Sequence, residues 1–450
     1  MSLPEPTTHS FAAAPVLETS RNHLSAVDIT ALLSTCKNAR KHAQDSSIWQ
    51  RFCSEYGLRS VARFGGLSFY TVYTQLLYPY GPLLGLWASD HPYRGNVIEF
   101  RLIPGDEHEQ GGIIGEVWRL RQHPARYPLH PDYVRALKIG FDAPFVPSPT
   151  PAAGGSSSPQ VPVVPKARIS CSTVPPIDDA HWHSTYLEVV PRTSYGYFMQ
   201  GYRRAFTHPD FPGTDAPWYD TQRGYPRLKM SIPVLIDQRE LVRIYPAVRL
   251  PIIFASTTPH IKPAGLSIHC SGGDDRCTQT HQPALPFDDL STAPPRYYPL
   301  RRSIRDGVEP TSASFAVESL EGLWLGAFGR YGTELLHLTW HREQGDLRAI
   351  KITGDANVPR GAPSWTLHAS LAHPPYLLTP PPESWTSELH GECLMYPGTG
   401  IVSERGYPEA MAVPLTIAVV SADEIRIFWD LMNDTRIYTR YKGRGGVAEG

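Results

Sequence analysis

Apolar and polar positions alternate most clearly across residues 321–361, EGLWLGAFGRYGTELLHLTWHREQGDLRAIKITGDANVPRG. Leu336, Leu338 and Trp340 recur at period two on one face, with His337, Thr339 and His341 on the other, the alternation of a half-buried strand. A preceding strand opens at Gly322-Leu323-Trp324, the run Gly329-Arg330-Tyr331-Gly332 supplies turn residues, and Arg348 to Thr353 forms a third strand before the breaker run Gly354 to Pro359. The pattern predicts an antiparallel meander. Downstream, strands are expected at Trp365 to Ser370 and Gly391 to Tyr396, then a hairpin turning at Ser421-Ala422-Asp423 and a last strand ending near Tyr441. Upstream, strands are expected through Leu86-Trp87, Val97 to Leu102 and Ile113 to Leu120. Gly85-Leu86-Trp87 and Gly322-Leu323-Trp324 echo each other, and a Gly-x-Trp at a strand start suits a small closed barrel.

The period changes near the N-terminus. Residues 1–22 are polar and aperiodic, which predicts disorder. Beyond them Ser25 is placed to cap a helix bearing Ile29, Leu32, Leu33, Cys36, Ala39 and Ala43, and Asp45 to cap a second bearing Ile48, Trp49, Phe52 and Cys53. Residues 143–165, APFVPSPTPAAGGSSSPQVPVVP, are rich in Pro, Gly and Ser and have strand-like text on both sides, so they are expected to be a loop inside one architecture. The resulting fold class is mainly β. The expected organisation is a short α-helical segment at 23–62, one antiparallel barrel-like domain at 63–443 and a tail at 444–450.

Composition narrows the function. The 450 residues carry 45 Pro and 36 Gly with 11% aromatic and 19% charged residues, a balance that favours strands and irregular turns over helix bundles. A formal net charge of -1 gives no general electrostatic reason to bind nucleic acid or anionic lipid. The six cysteines (36, 53, 171, 270, 277 and 393) are too sparse for a secreted disulfide framework. The N-terminus lacks a signal-peptide pattern, and no apolar run reaches membrane-spanning length, so membrane insertion is not expected. A reducing location, cytoplasm or nucleus, is the expectation.

Candidate chemistry is limited. Cys171 precedes His181 and His183, and Cys277 precedes His281, so two Cys and two His could close a tetrahedral zinc site, with His269 and Cys270 as spare ligands. Alternatively His181 and His183 on one strand face could share a hydrolytic metal. No GxSxG, HExxH or phosphate-cradling glycine loop accompanies them. Lys351, Asp355 and Asn357 could form an active site; the simpler reading has Asp355 and Asn357 bond the turn they make, and an intermediate one sets this loop on a barrel rim that contacts a peptide.

Two stretches resemble a known family. Residues 23–53, HLSAVDITALLSTCKNARKHAQDSSIWQRFC, resemble the second half of an F-box. The YGPLLGLW run at 80–87, the KITGD run at 351–355 and the Gly398-Thr399-Gly400 turn resemble the F-box only protein 31 family and its cyclin-D-binding region, over roughly residues 24–443. The resemblance implies a non-catalytic substrate receptor of a cullin-type ubiquitin ligase. It implies that Leu24, Ile29, Leu32, Leu33, Ile48 and Trp49 bury against a Skp-type adaptor, and that a barrel holds the protein substrate. Trp87, Trp324, Trp340, Lys351 and Asp355 are the expected substrate-binding residues. It also favours Cys171, His181, Cys277 and His281 as ligands of a structural zinc, because Cys277-Thr278-Gln279-Thr280-His281 keeps the family's spelling. The alternative is a lipocalin-like or avidin-like barrel that carries a small apolar ligand without any ligase role.

Overall fold

A computed structural model describes residues 25–43, 45–89, 96–120, 131–141, 165–171, 183–189, 266–270, 296–300, 307–327, 333–355, 357–358, 362–369, 393–402 and 411–444. The chain begins with three helices, α1 (Ala26–Ser34), α2 (Lys37–Arg40) and α3 (Ser46–Ser54). Ser25 caps α1 in a capping box with Asp28, and Asp45 caps α3 by accepting from the Ser47 backbone N–H at 2.9 Å. The first expected helix is broken in two, because Cys36 leaves helical geometry at φ -149° and itself caps α2. Residues 69–83 add a helical collar that the sequence pattern does not announce: α4 (Phe69–Val72), a π turn at Tyr73–Leu77, α5 (Tyr78–Tyr80) and a 3-10 turn at Gly81–Leu83.

Two closed antiparallel barrels follow. The first contains β1 (Gly85–Ser89), β2 (Val97–Gly105), β3 (Gln110–Arg119), β4 (Asp132–Gly140), β5 (Arg168–Cys171), β6 (His183–Val189), β7 (Leu266–Cys270) and β8 (Arg296–Leu300), with β8 paired back onto β1. The second contains β9 (Gly322–Ala327), β10 (Thr333–His341), β11 (Asp346–Lys351), β12 (Pro363–His368), β13 (Leu394–Val402), β14 (Met411–Ser421), β15 (Glu424–Trp429) and β16 (Asp434–Arg440), with β16 closing onto β9. The span 63–443, expected to hold one barrel, therefore holds two. The difference is physical: alternation reports that a strand has one buried face, and is silent on which sheet the strand closes. The Pro/Gly/Ser-rich stretch at 143–165 falls between paired strands β4 and β5, inside the first barrel's sequence, although most of its residues lie outside those described.

Both barrels open with the same device. Gly85 (φ 106°) and Gly322 (φ 134°) adopt left-handed backbone open to glycine, each as the first residue of its strand and followed by a buried Leu-Trp pair. Each is preceded by a 3-10 turn, and the tryptophan two positions on sends its indole N–H back to that turn: Trp87 Nε1 to Leu83 O at 2.6 Å, Trp324 Nε1 to Leu320 O at 2.9 Å. The polar atom of each plug is thereby satisfied while the ring is fully buried.

Packing joins these parts. The buried faces of α1 and α3, the collar and the interior of the first barrel form one apolar cluster, including Ile29, Leu33, Trp49, Leu76, Trp87, Phe100 and Ile139. The second barrel has its own core around Trp324, Trp365, Trp429 and Tyr438. A third cluster lies between the barrels: Leu86, Ala88, Val97, Trp118 and Leu300 of the first meet Leu323, Leu325, Leu335, Ile352 and Tyr441 of the second. Leu323, Leu325 and Leu335 occupy outward phases of their strands, so a face expected to meet water is dry. Among the described residues no helix is long and apolar enough to cross a membrane.

The same burial captures a histidine. His337, on the outward phase of β10 beside Leu323, is only 5% exposed, and burial pushes its imidazole down to about 4. Below the ordinary histidine value of 6.5 the unfolded chain binds a proton that the folded chain refuses. Stability should therefore fall as pH drops from 6.5 to 4, by about 3 kcal/mol from this group. Urea unfolding of the protein and of His337→Gln at several pH values checks this; the two profiles should diverge only within that window.

Candidate functional site

The second barrel contains an ionic cluster inside its wall, near the end where β11 leaves the sheet. On β10 the inward phase reads Glu334, Leu336, Leu338, which places one carboxylate in line with two core leucines. Lys351, the last residue of β11 and opposite Leu336, is fully buried and lies 2.9 Å from Glu334 Oε2. Its ammonium also contacts the Asp355 carboxylate. Glu334 accepts from the Tyr438 hydroxyl at 2.7 Å and from Ser364 Oγ at 3.2 Å. Burial works against the lysine's charge, but Asp355 and Glu334 outweigh it and hold its pKa above the ordinary lysine value. Tyr438 is pushed far up by burial and by the Glu334 carboxylate beside it, so it stays a neutral donor.

Asp355 links this cluster to the rim. Its other oxygen accepts the backbone N–H groups of Asn357 and Val358, both at 2.7 Å, and its own N–H donates to Val358 O at 2.9 Å. The buried lysine therefore clamps the turn that follows β11. Lys351 and Asp355, expected to contact substrate, are spent on each other and on this turn; what they supply is rigidity at the rim.

Neighbouring rim residues are more open. Strand registers place Ala362, Val402, Met411 and the turn after Trp429 at this same barrel end, since Lys351 bonds Ala362, Val402 faces Met411 and Trp429 faces Asp434. Met411 is 51% exposed and Met432 40%, among the most exposed large apolar residues described. Next to Met432, Arg436 is buried at 4% exposure: opposite Ile427 on the inward phase of β16, it stacks 5.0 Å above the Trp429 ring and reaches Asp434 at 3.1 Å. Flexible, exposed methionines can seat an irregular protein segment.

The other expected site residues are distributed differently. Trp87 and Trp324 are fully buried plugs and line no accessible surface; Trp340 is half-buried, its backbone N–H held by Glu321 at 2.8 Å. Ile29, Leu33, Ile48 and Trp49, expected to bury against an adaptor, are buried against their own chain, with Trp49 edge-on to Tyr70 at 5.1 Å and bonded to Ala43 O at 2.7 Å. A helix face that has a barrel to cover is spent intramolecularly. On α1, Leu32 at 38% and Val27 at 42% exposed remain available; Leu24 lies outside the described residues. Of the expected zinc ligands, Cys171 ends β5 and pairs across the sheet with His183, and Cys270 ends β7 opposite Thr185, whereas His181, Cys277 and His281 lie outside the described residues.

Sequence reasoning missed Glu334, Tyr438, Arg436 and Met411. Glu334 carried a usable signal, a carboxylate in phase with Leu336 and Leu338, which demands a buried partner. The others depend on which strands become neighbours.

Residues 304–442 match the Cyclin D1 binding domain family, and this span contains the whole second barrel. No curated protein matches the chain.

Removing the cation should expose the cluster's cost. Lys351→Met leaves Glu334 and Asp355 without the charge that holds them and should destabilise the protein by about 3–5 kcal/mol in urea titration, whereas Lys351→Met combined with Glu334→Leu should recover part of that loss.

Proposed function

We propose that the chain is a non-catalytic substrate receptor of a cullin-type ubiquitin ligase, acting in cytoplasm or nucleus, whose second barrel holds the protein to be modified. The observation that carries this reading is the coincidence of the Cyclin D1 binding domain match with one complete closed barrel that bears a rigid, partly apolar rim. A protein-binding role fits better than a small-ligand carrier, because the interior of this barrel is filled by Trp324, Trp365, Trp429 and Tyr438. Target segments would dock at the rim on the exposed Met411 and Met432. The F-box-like helices support the ligase half of the proposal. They would reach a Skp-type adaptor through the face of α1 that keeps Val27 and Leu32 exposed.

Co-precipitation of the full chain with a Skp adaptor, a cullin and cyclin D1 tests both halves. Leu32→Asp should weaken adaptor capture at least tenfold and spare cyclin D1, on the scale of a charge forced into an apolar contact. Met411→Asp with Met432→Asp should do the reverse. Failure of the unaltered chain to bind an adaptor would remove the ligase role; failure to bind cyclin D1 alone would leave a receptor for a different protein.

A structural zinc in the first barrel is part of the proposal. The β5–β6 ladder pairs Cys171 with His183, and Cys171, His181, Cys277 and His281 would supply the two thiolates and two imidazoles of a tetrahedral site. Metal analysis of purified protein should find about one zinc per chain, falling below about half of that in Cys171→Ser.

A further inference from the structure

The chain after β16 does not stop at the second barrel's edge. Tyr441 donates its backbone N–H to Leu323 O at 2.8 Å, which keeps it part of the second barrel. Its ring meets Trp118 of the first barrel edge-on at 4.6 Å, and its hydroxyl lies 3.5 Å from that of Tyr133. Gly443, buried and at φ 101°, then turns the backbone, and Arg444 lies across the outward face of β2, β3 and β4.

What Arg444 meets there is specific. Glu99 and Glu116 are cross-strand partners on β2 and β3, 1% and 9% exposed, and like charges directly opposite in an antiparallel pair repel. Arg444 Nε donates to Glu99 Oε2 at 3.1 Å. Its Nη2 forms an ion pair with Glu116 Oε2 at 2.7 Å, at an angle outside that of a hydrogen bond, while its guanidinium stacks 3.2 Å over Tyr133. Arg101 flanks Glu116 from the first barrel at 3.5 Å. One cation supplied by the second barrel thus lies between two carboxylates and an aromatic ring of the first.

We propose that Tyr441–Arg444 is a latch that fixes the orientation of the second barrel on the first, with Arg444 as its positioning residue and the Glu99–Glu116 pair as its receptor. The apolar cluster between the barrels supplies attraction, which has no preferred direction. The guanidinium fork supplies direction, because its donors have fixed geometry. The latch therefore sets where the rim at Met411 and Met432 stands relative to the helices on the first barrel.

Hydrogen exchange on the intact protein tests this. Arg444→Ala should speed exchange of the Tyr441 amide at least about tenfold, while the amides of β13 and β14 keep their rates. Glu99→Gln with Glu116→Gln, which conserves side-chain volume, should release the same amide, and adding Arg444→Ala to that pair should produce no further increase, since both act on one contact. Arg444→Lys should fall between, having charge without the fork. Unchanged exchange in Arg444→Ala, additive effects in the triple variant, or equal acceleration throughout β13 and β14 would overturn the latch. If Arg444→Ala does not fold, the glutamine pair alone decides: no release of the Tyr441 amide there would overturn it.

Discussion

Closure of a sheet on itself is the constraint from which most of this molecule follows. An eight-stranded barrel has no free edge, so its backbone groups are paired around the whole circumference, but its two ends must be plugged and its interior filled by side chains. Each barrel meets the first requirement with the same short construction: a 3-10 turn, a glycine at positive φ, and a tryptophan whose indole N–H returns to the turn's carbonyl. Arg440 completes the plug in the second barrel. It stacks 4.8 Å from Trp324 and gives three donors to the carbonyls of Ala422, Glu321 and Ser319. Burial lowers its pKa, and the Asp423 carboxylate nearby works in the opposite direction.

Charge in this fold is placed where chain segments must be fixed, and three cations join separate elements of the chain. Lys351 joins the meander to the turn behind it through Glu334 and Asp355, and Glu334 in turn holds Tyr438 of the last strand. Arg440 ties β16 to the start of β9. Arg444 ties the second barrel to the first. Buried ion pairs contribute little net stability against an apolar alternative, but they specify geometry, because a misplaced partner leaves a charge uncompensated. The turn after β11 inherits that rigidity, since Asp355 is tied to Lys351 and to the backbone of Asn357 and Val358.

Periodicity read along one strand is a local property, and it was legible. The meander at 322–351, the hairpin turning after Ser421, the caps at Ser25 and Asp45 and the paired Gly-x-Trp starts all follow from alternation, turn chemistry and capping preference. The collar at 69–83 was not legible, because its tyrosines, threonines, prolines and glycine carry weak helical preference and it is helical only through packing on α3 and the first barrel. Of the candidate site, Lys351 and Asp355 stood out in the sequence while Glu334, Ser364 and Tyr438, with which they form one cluster, did not.

The amino-acid sequence by itself determined the first three strands and those of the second barrel, the helix starts and the glycines and tryptophans that begin each barrel, since each depends on neighbours within a few residues, whereas β4 to β8 carried no such readable alternation. Tertiary structure alone decided that the strands close into two barrels, that the helix faces bearing Ile29 and Trp49 are covered by the chain itself, and that the outward residues Leu323, Leu335 and His337 are dry. Those outcomes depend on which surfaces meet across the molecule, and alternation along a strand says that a face is apolar without saying what covers it.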